Sequence, residues 1–288
     1  MVIPFILPAF VLYTVLFVYP AIRAVWVSLH DWSGFGNTMV FVGLGNYREM
    51  LQDSIFWGAF QRTLIISFGG GIGIFALAMI MAAVLQRDIR GKRFFRALIF
   101  FPNVVQPFGL GLIWQFLYNN KWGPISGLLN AVGLEALDPV WLGPKYIIPS
   151  LTVAVIWTYV GYYMVILTAG IDKIPKSYYE AAIIDGASFW QMFFTITIPM
   201  VWDVLVTAIV LWVIGSLKVF DLIIATTFPD PPKSTFTMTI YVWQQAVGAY
   251  TPVFRLGYAT ALGVVLLGLI IVSVAVVRTI MGREAIEY

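Results

Sequence analysis

Six apolar stretches divide the chain, at about residues 3–29, 57–85, 97–118, 147–168, 198–224 and 256–277. Each reaches the roughly 20 residues a helix needs to cross a bilayer. None alternates with period two, as membrane-barrel strands do. In lipid, only helices and closed barrels satisfy every backbone polar group. The pattern therefore predicts an all-α integral membrane protein, a single transmembrane domain over 1–288 with six transmembrane helices. The first stretch has no basic segment before it and carries Pro4, Pro8 and Pro20. It is read as a retained span, not a cleaved leader.

Composition agrees with lipid as the solvent. Hydrophobic residues make up 60% of the 288 and charged residues 11%, against about 25% charged in an average soluble domain. A soluble fold of this size has too little interior for so much apolar side chain. The 11 Trp and 14 Tyr suit rings that sit at headgroup level. A formal charge of +3 suggests no nucleic-acid partner. There is no cysteine, which excludes disulfides, thiolate metal sites and thiol nucleophiles.

The basic residues set the orientation. Arg87, Arg90, Lys92, Arg93 and Arg96 crowd the loop after the second stretch; Lys173 and Lys176 follow the fourth; Arg278 and Arg283 follow the sixth. The opposite side holds Arg48, Lys121, Lys145, Lys233 and Arg255 across longer segments. Cytoplasmic loops carry the excess of Lys and Arg, so the first set, and with it both termini, is placed in the cytoplasm. The outer segments 30–56, 119–146 and 225–255 are long for loops without structure. Within them, 237–246 (TMTIYVWQQA) reads as an amphipathic helix on the outer surface.

The connection at about 170–197 is not a plain loop. Pro175 suits a helix start, and Ser177 with Glu180 makes a capping-box pattern. Ala181 to Ile184 continue the helix, and Gly186 stops it by taking a positive φ. Ser188 opens a second short helix that runs through Phe189, Trp190, Met192 and Phe193 to Pro199. By pattern alone this is equally well a mere elbow between two spans.

The residues Glu180-Ala181-Ala182-Ile183-Ile184-Asp185-Gly186-Ala187, followed by Ile196-Thr197-Ile198-Pro199, resemble the EAA loop of binding-protein-dependent permeases, with Ile in place of the usual Leu before the proline. Phe41 to Tyr47, Arg93 to Arg96 with Phe101-Pro102, and Tyr258 to Gly263 are similar to other segments of maltose-type (MalF-like) sugar permeases. Where relatives have a Gly-Gly-Pro turn after the fifth span, this chain has Phe228-Pro229-Asp230-Pro231-Pro232. The resemblance implies a type I ABC importer permease fold and a place in a bacterial or archaeal plasma (inner) membrane. It implies as partners a homologous second permease subunit, an ATP-binding-cassette ATPase dimer and an extracytoplasmic sugar-binding protein. Glu180, Ala181, Ala182, Asp185 and Gly186 would couple the chain to the ATPase, which alone would hold ATP and Mg.

For a sugar path the resemblance points to Tyr162 on the fourth span and to Trp212, Gly215, Ser216 and Val219 on the fifth. The last four fall at i, i+3, i+4 and i+7, the spacing of one helical face. Trp212 and Tyr162 are equally consistent with lipid or interface packing, and Ser216 with a bond to its own backbone. Asn103, Gln106 and Gln115 are weaker candidates on the third span. Lys218 and Asp221 either pair within the bundle or snorkel outward.

The chain has no nucleotide-binding G-x-x-x-x-G-K-[ST] sequence. Gly69-Gly70-Gly71-Ile72-Gly73 lies inside an apolar span and reads as close helix packing. No catalytic or metal-binding residue is assigned. An intramembrane enzyme would need a nucleophile and base or a metal set, and the single histidine, His30, reads as a solvated loop residue. An ion-coupled secondary transporter usually has charges at mid-membrane, whereas here they cluster near span ends. A neutral saccharide is favoured over a glycerol phosphate, polyol, peptide or ion, because Lys218 is the only cation near the path.

Overall fold

The computed structural model describes residues 3–36, 38–87, 89–229, 231–248 and 253–282. In chain order its helices are α1 (3–27), α2 (Gly45–Gln52), α3 (Ser54–Gln86), α4 (Lys92–Val104), α5 (Pro107–Leu117), α6 (Pro124–Ala131), α7 (Ile147–Ile171), α8 (Lys176–Ile184), α9 (Phe189–Met200), α10 (Trp202–Ser216), α11 (Asp221–Thr226), α12 (Met238–Ala246) and α13 (Leu256–Met281). Strands β1 (His30–Asp31) and β2 (Val40–Phe41) pair antiparallel, His30 opposite Phe41. Arg283 and Asp230, which entered the sequence reading, lie outside the described residues.

Helices α1, α3, α7 and α13 are each long and apolar enough to cross a membrane, and α4–α5 and α9–α10 qualify as bent pairs, giving four to six crossings. The third and fifth spans are thus each broken into two helices. The chain turns by 99° between α4 and α5 and by 71° between α9 and α10. Pro107 causes the first bend: its ring disfavours helical backbone in the residue before it, and Gln106 is accordingly extended at φ −56°, ψ 132°. The fifth span also stops at Ser216, and only after residues 217–220 does the short α11 begin.

Two wide, π-type turns have a common cause. Thr14–Val18 and Phe193–Thr197 each precede a proline, Pro20 and Pro199. A proline has no N–H to give the carbonyl four residues back, and in both cases that carbonyl lies in the wide turn.

The chain divides into two compact units, residues 1–61 with 236–269 and residues 62–235 with 270–288. In the first, α1 leaves no side chain buried from residue 5 to 26, as expected of a helix whose partner is lipid or another chain. The β-hairpin is held by Asn46, whose Nδ2 donates to the Ser28 and His30 carbonyls at 2.8 and 3.0 Å. His30 is buried, not solvated as expected: its Nδ1 lies 2.8 Å from the Trp26 carbonyl, and its ring packs on Trp26. Arg255 forms a bidentate pair with Glu49 at 2.7 and 2.6 Å. Tyr241 and Tyr258 both donate to Asp53 Oδ2, Tyr258 at 2.8 Å. The expected helix at 237–246 is present as α12, and the Thr237 hydroxyl caps it by accepting the Ile240 N–H.

The second unit is built around α7. Helices α3, α4 and α10 pack on it, while α11 packs on α5. Leu151, Ala154, Met164, Leu167 and Ile171 of α7 are fully enclosed. In lipid, helices associate through close packing more than through apolar burial. Gly161 shows this: a Cβ there would collide with the Ile99 carbonyl of α4. At 119–146, Asp138 Oδ1 accepts from Ser126 at 2.7 Å, Trp141 Nε1 at 2.8 Å and Asn120 at 3.3 Å. This expected outer loop is therefore ordered around one carboxylate.

Candidate functional site

The elbow between α7 and α10 carries the EAA-like residues. Helix α8 begins after Pro175, which occupies the N-cap position without a side-chain hydrogen bond. The expected Ser177–Glu180 capping box is therefore not formed, because Ser177 already lies inside the helix. This leaves the Glu180 carboxylate uncommitted to a cap. Gly186 ends the helix at φ +78°, with the Gly186 and Ala187 N–H groups donating to the Ile183 and Ala182 carbonyls at 3.0 and 2.9 Å. The box that does form is at the next helix. The Ser188 N–H donates to Gln191 Oε1 at 2.7 Å, and the Gln191 N–H to Ser188 Oγ at 3.4 Å.

Helix α8 and the turn that ends it present Glu180, Ala181, Asp185 and Gly186 to the outside, while Ala182 is half-buried. Beside them Ile183 and Ile184 are 61% and 85% exposed. Two bare isoleucines between two carboxylates, on a helix of nine residues, make a small docking face. Tyr179 ties α8 to α9 through a 3.0 Å hydroxyl contact with Thr197, and burial pushes the Tyr179 phenol pKa up. Behind the elbow lies a cavity of about 290 Å³, lined by Ala83, Ile183, Phe189 and Phe193 among others and by Arg87 and Lys176.

A second cluster lies on α7 and α10. Trp212 is buried, and its Nε1 donates to the Ser67 carbonyl at 2.7 Å. Ser67 belongs to a wide turn of α3, Ile65–Gly69. Gly71 makes the contact possible, because a Cβ there would stand 2.6 Å from Trp212 Nε1. The Trp212 ring meets Tyr159 and Tyr163 edge-on, with centroids 5.6 and 5.9 Å away.

A sequence model of the inner-membrane components of binding-protein-dependent transport systems matches residues 74–284. The chain belongs to that family. A probable ABC transporter permease protein of Pyrococcus horikoshii is 30% identical over 284 residues, 98% of this chain and 97% of that one. The trehalose/maltose transport system permease protein MalF of Thermococcus litoralis is 31% identical over 236 residues, 82% of this chain and 79% of the relative. The fold matches that of a crystal structure of a bacterial ABC transporter involved in import of the acidic polysaccharide alginate. The TM-score is 0.83 at 20% identity, over 98% of this chain and 95% of that chain. This is a multi-pass membrane protein with the type I importer permease fold.

In this permease the structure sorts the expected path residues unevenly. Trp212 and Ser216 are buried, Gly215 is exposed with nothing within 4 Å of where a Cβ would stand, and Val219 lies past the end of α10. They do not form one helical face, because the helix stops at Ser216 and leaves Val219 off it. Ser216 donates to the Val213 carbonyl at 3.4 Å, three residues back in its own helix rather than four. Tyr162 is 37% exposed and reaches Tyr163, with ring centroids 5.1 Å apart. Tyr159 and Tyr163, which the sequence reading passed over, are the α7 rings that meet Trp212. Their spacing of four was the available signal. Of the weaker candidates, Gln115 Nε2 donates to the Phe228 carbonyl at 2.5 Å, a bond between neighbouring segments.

Proposed function

We propose that this chain is a permease subunit that passes a carbohydrate, delivered by an extracytoplasmic solute-binding protein, across the plasma membrane of a bacterium or archaeon. ATP hydrolysis on a separate ATPase dimer, which holds ATP and Mg, drives the passage. A homologous second permease completes the pathway, since six helices are half of a typical one. The observation that carries the reading is the exposed face of α8, Glu180 and Asp185 flanking Ile183 and Ile184. It is mounted between α7 and α9, so that a push on the short helix is delivered to two spans as rigid-body tilt. Family membership and the saccharide named for the Thermococcus relative support the rest. Aromatic rings and hydroxyls on α7 and α10 suit a sugar's apolar faces and hydroxyls better than an anion. A glycerol phosphate or polyol is the second substrate reading, resting on exposed Lys218 at the end of α10.

The test is co-purification of the tagged chain with its ATPase, second permease and binding protein, followed by ATPase assays with saccharides and with glycerol phosphate. Glu180→Lys is expected to lower ATPase recovery or stimulated turnover at least about tenfold, since reversing an interface charge costs several kcal/mol. Wild-type assembly, transport and turnover in this variant would refute the coupling role. Gradient-driven uptake with no ATPase would instead favour an ion-coupled carrier.

A further inference from the structure

Of the residues lining the cavity behind the elbow, only Ile183 enters the reading above. It lies where α3 ends at Gln86 and α9 begins at Phe189, at the boundary of two membrane-crossing segments. Its lining combines apolar side chains such as Ala83, Phe189 and Phe193 with the cations Arg87 and Lys176; none of its lining residues is acidic. The Arg87 guanidinium stands 4.8 Å from the Phe189 ring centroid. That contact holds the cation beside the apolar lining, and a guanidinium carries five N–H donors with which to meet an anion. The loop that follows adds Arg90, Lys92, Arg93 and Arg96 against one acid, Asp88. A volume of about 290 Å³ is at the small end for a ligand site. It suits a headgroup with the top of a chain, the remainder staying in the bilayer.

We infer that this cavity binds an acidic phospholipid, its phosphate between Arg87 and Lys176 and its upper acyl chain against Phe189 and Phe193. Basic pockets at the cytoplasmic ends of membrane helices take anionic headgroups. Here the cytoplasmic placement rests on the basic-loop orientation. A lipid seated there would fill the space between α3 and the coupling elbow and set how freely α8 moves, a role independent of which solute is carried.

The full-length chain is reconstituted in nanodiscs of equal parts phosphatidylcholine and phosphatidylglycerol, and retained lipid is counted by native mass spectrometry. The wild type is expected to keep phosphatidylglycerol over phosphatidylcholine by about thirtyfold, as two cations near the surface imply. Arg87→Gln with Lys176→Gln should bring this preference near parity. Arg90→Gln with Arg93→Gln removes the same charge from the same region outside the cavity and should leave it intact. Ala83→Phe fills the cavity while keeping both cations and should also abolish retention. No preference in the wild type, equal loss in both double variants, or undiminished retention in Ala83→Phe would each overturn the assignment. So would displacement of the lipid by excess inorganic phosphate, which would make the site one for soluble anions.

Discussion

Asp53, one residue before α3, shows how a single carboxylate can organise several segments. Burial works to raise its pKa. The hydroxyls of Tyr241 and Tyr258 and the N–H groups of Ile55 and Phe56 outweigh that effect and hold it below the ordinary value. Hydrogen bonds to the ionised form act in this direction. The partner phenol of Tyr241 is pushed up, by its own burial and then by this bond. A depressed carboxylate stabilises the fold above its unfolded pKa of about 3.9, and the contribution is lost as pH falls through the lower folded value. Asp53→Asn should therefore destabilise by about 1 kcal/mol at neutral pH. The gap in melting temperature from wild type should stay constant from about pH 8 to 5 and close only below about pH 4. Melting curves of the purified chain across that range check this. A gap that narrows already near neutral pH would assign the effect to another group.

At the scale of elements, the elbow depends on backbone conformation as much as on contacts. Gly186 stands at φ +78°, and a Cβ there would meet nothing within 4 Å. A substitution is therefore opposed by the backbone alone, at roughly 1–2 kcal/mol for an ordinary residue and much less for Asn. Gly186→Asn should keep stimulated ATPase activity near wild type, whereas Gly186→Val should lose most of it while the ATPase still co-purifies. Equal activity in the two would show that the positive φ is dispensable. This elbow was largely legible in the sequence, because Pro175, Gly186 and Ser188 act locally. The error at Ser177 arose because two residues fit a cap and only the chain's entry from Pro175 decides between them. The bends at 105–106 and 201 were less legible: hydropathy is blind to direction, and only Pro107 and Pro199 marked them. Tyr163 was passed over for Tyr162 because α7 is apolar on every side, so its periodicity does not reveal which ring faces α10.

For the whole molecule, the claims about coupling, lipid and substrate all depend on which side of the membrane each segment faces. That orientation was read from charge: seven Lys and Arg in the segments 86–96 and 170–197, the second of which contains α8. The absence of cysteine makes it directly testable, since any introduced thiol is unique. Ser177 and Gly127 are both exposed, one on α8 and the other on α6 in the expected outer segment, and nothing lies within 4 Å of a Cβ at Gly127. Neither substitution should perturb packing. A membrane-impermeant maleimide is expected to label Gly127→Cys in intact cells, and Ser177→Cys only after permeabilisation. The reverse pattern would put α8 outside, beyond reach of any ATPase, and would remove the coupling proposal and the lipid assignment together. Labelling of both in intact cells would mean that the α7 crossing between them is not a full span, against its length of 25 residues and enclosed core. The two thiols thus test at once the charge rule that oriented the chain and the packing that makes α7 the centre of its unit.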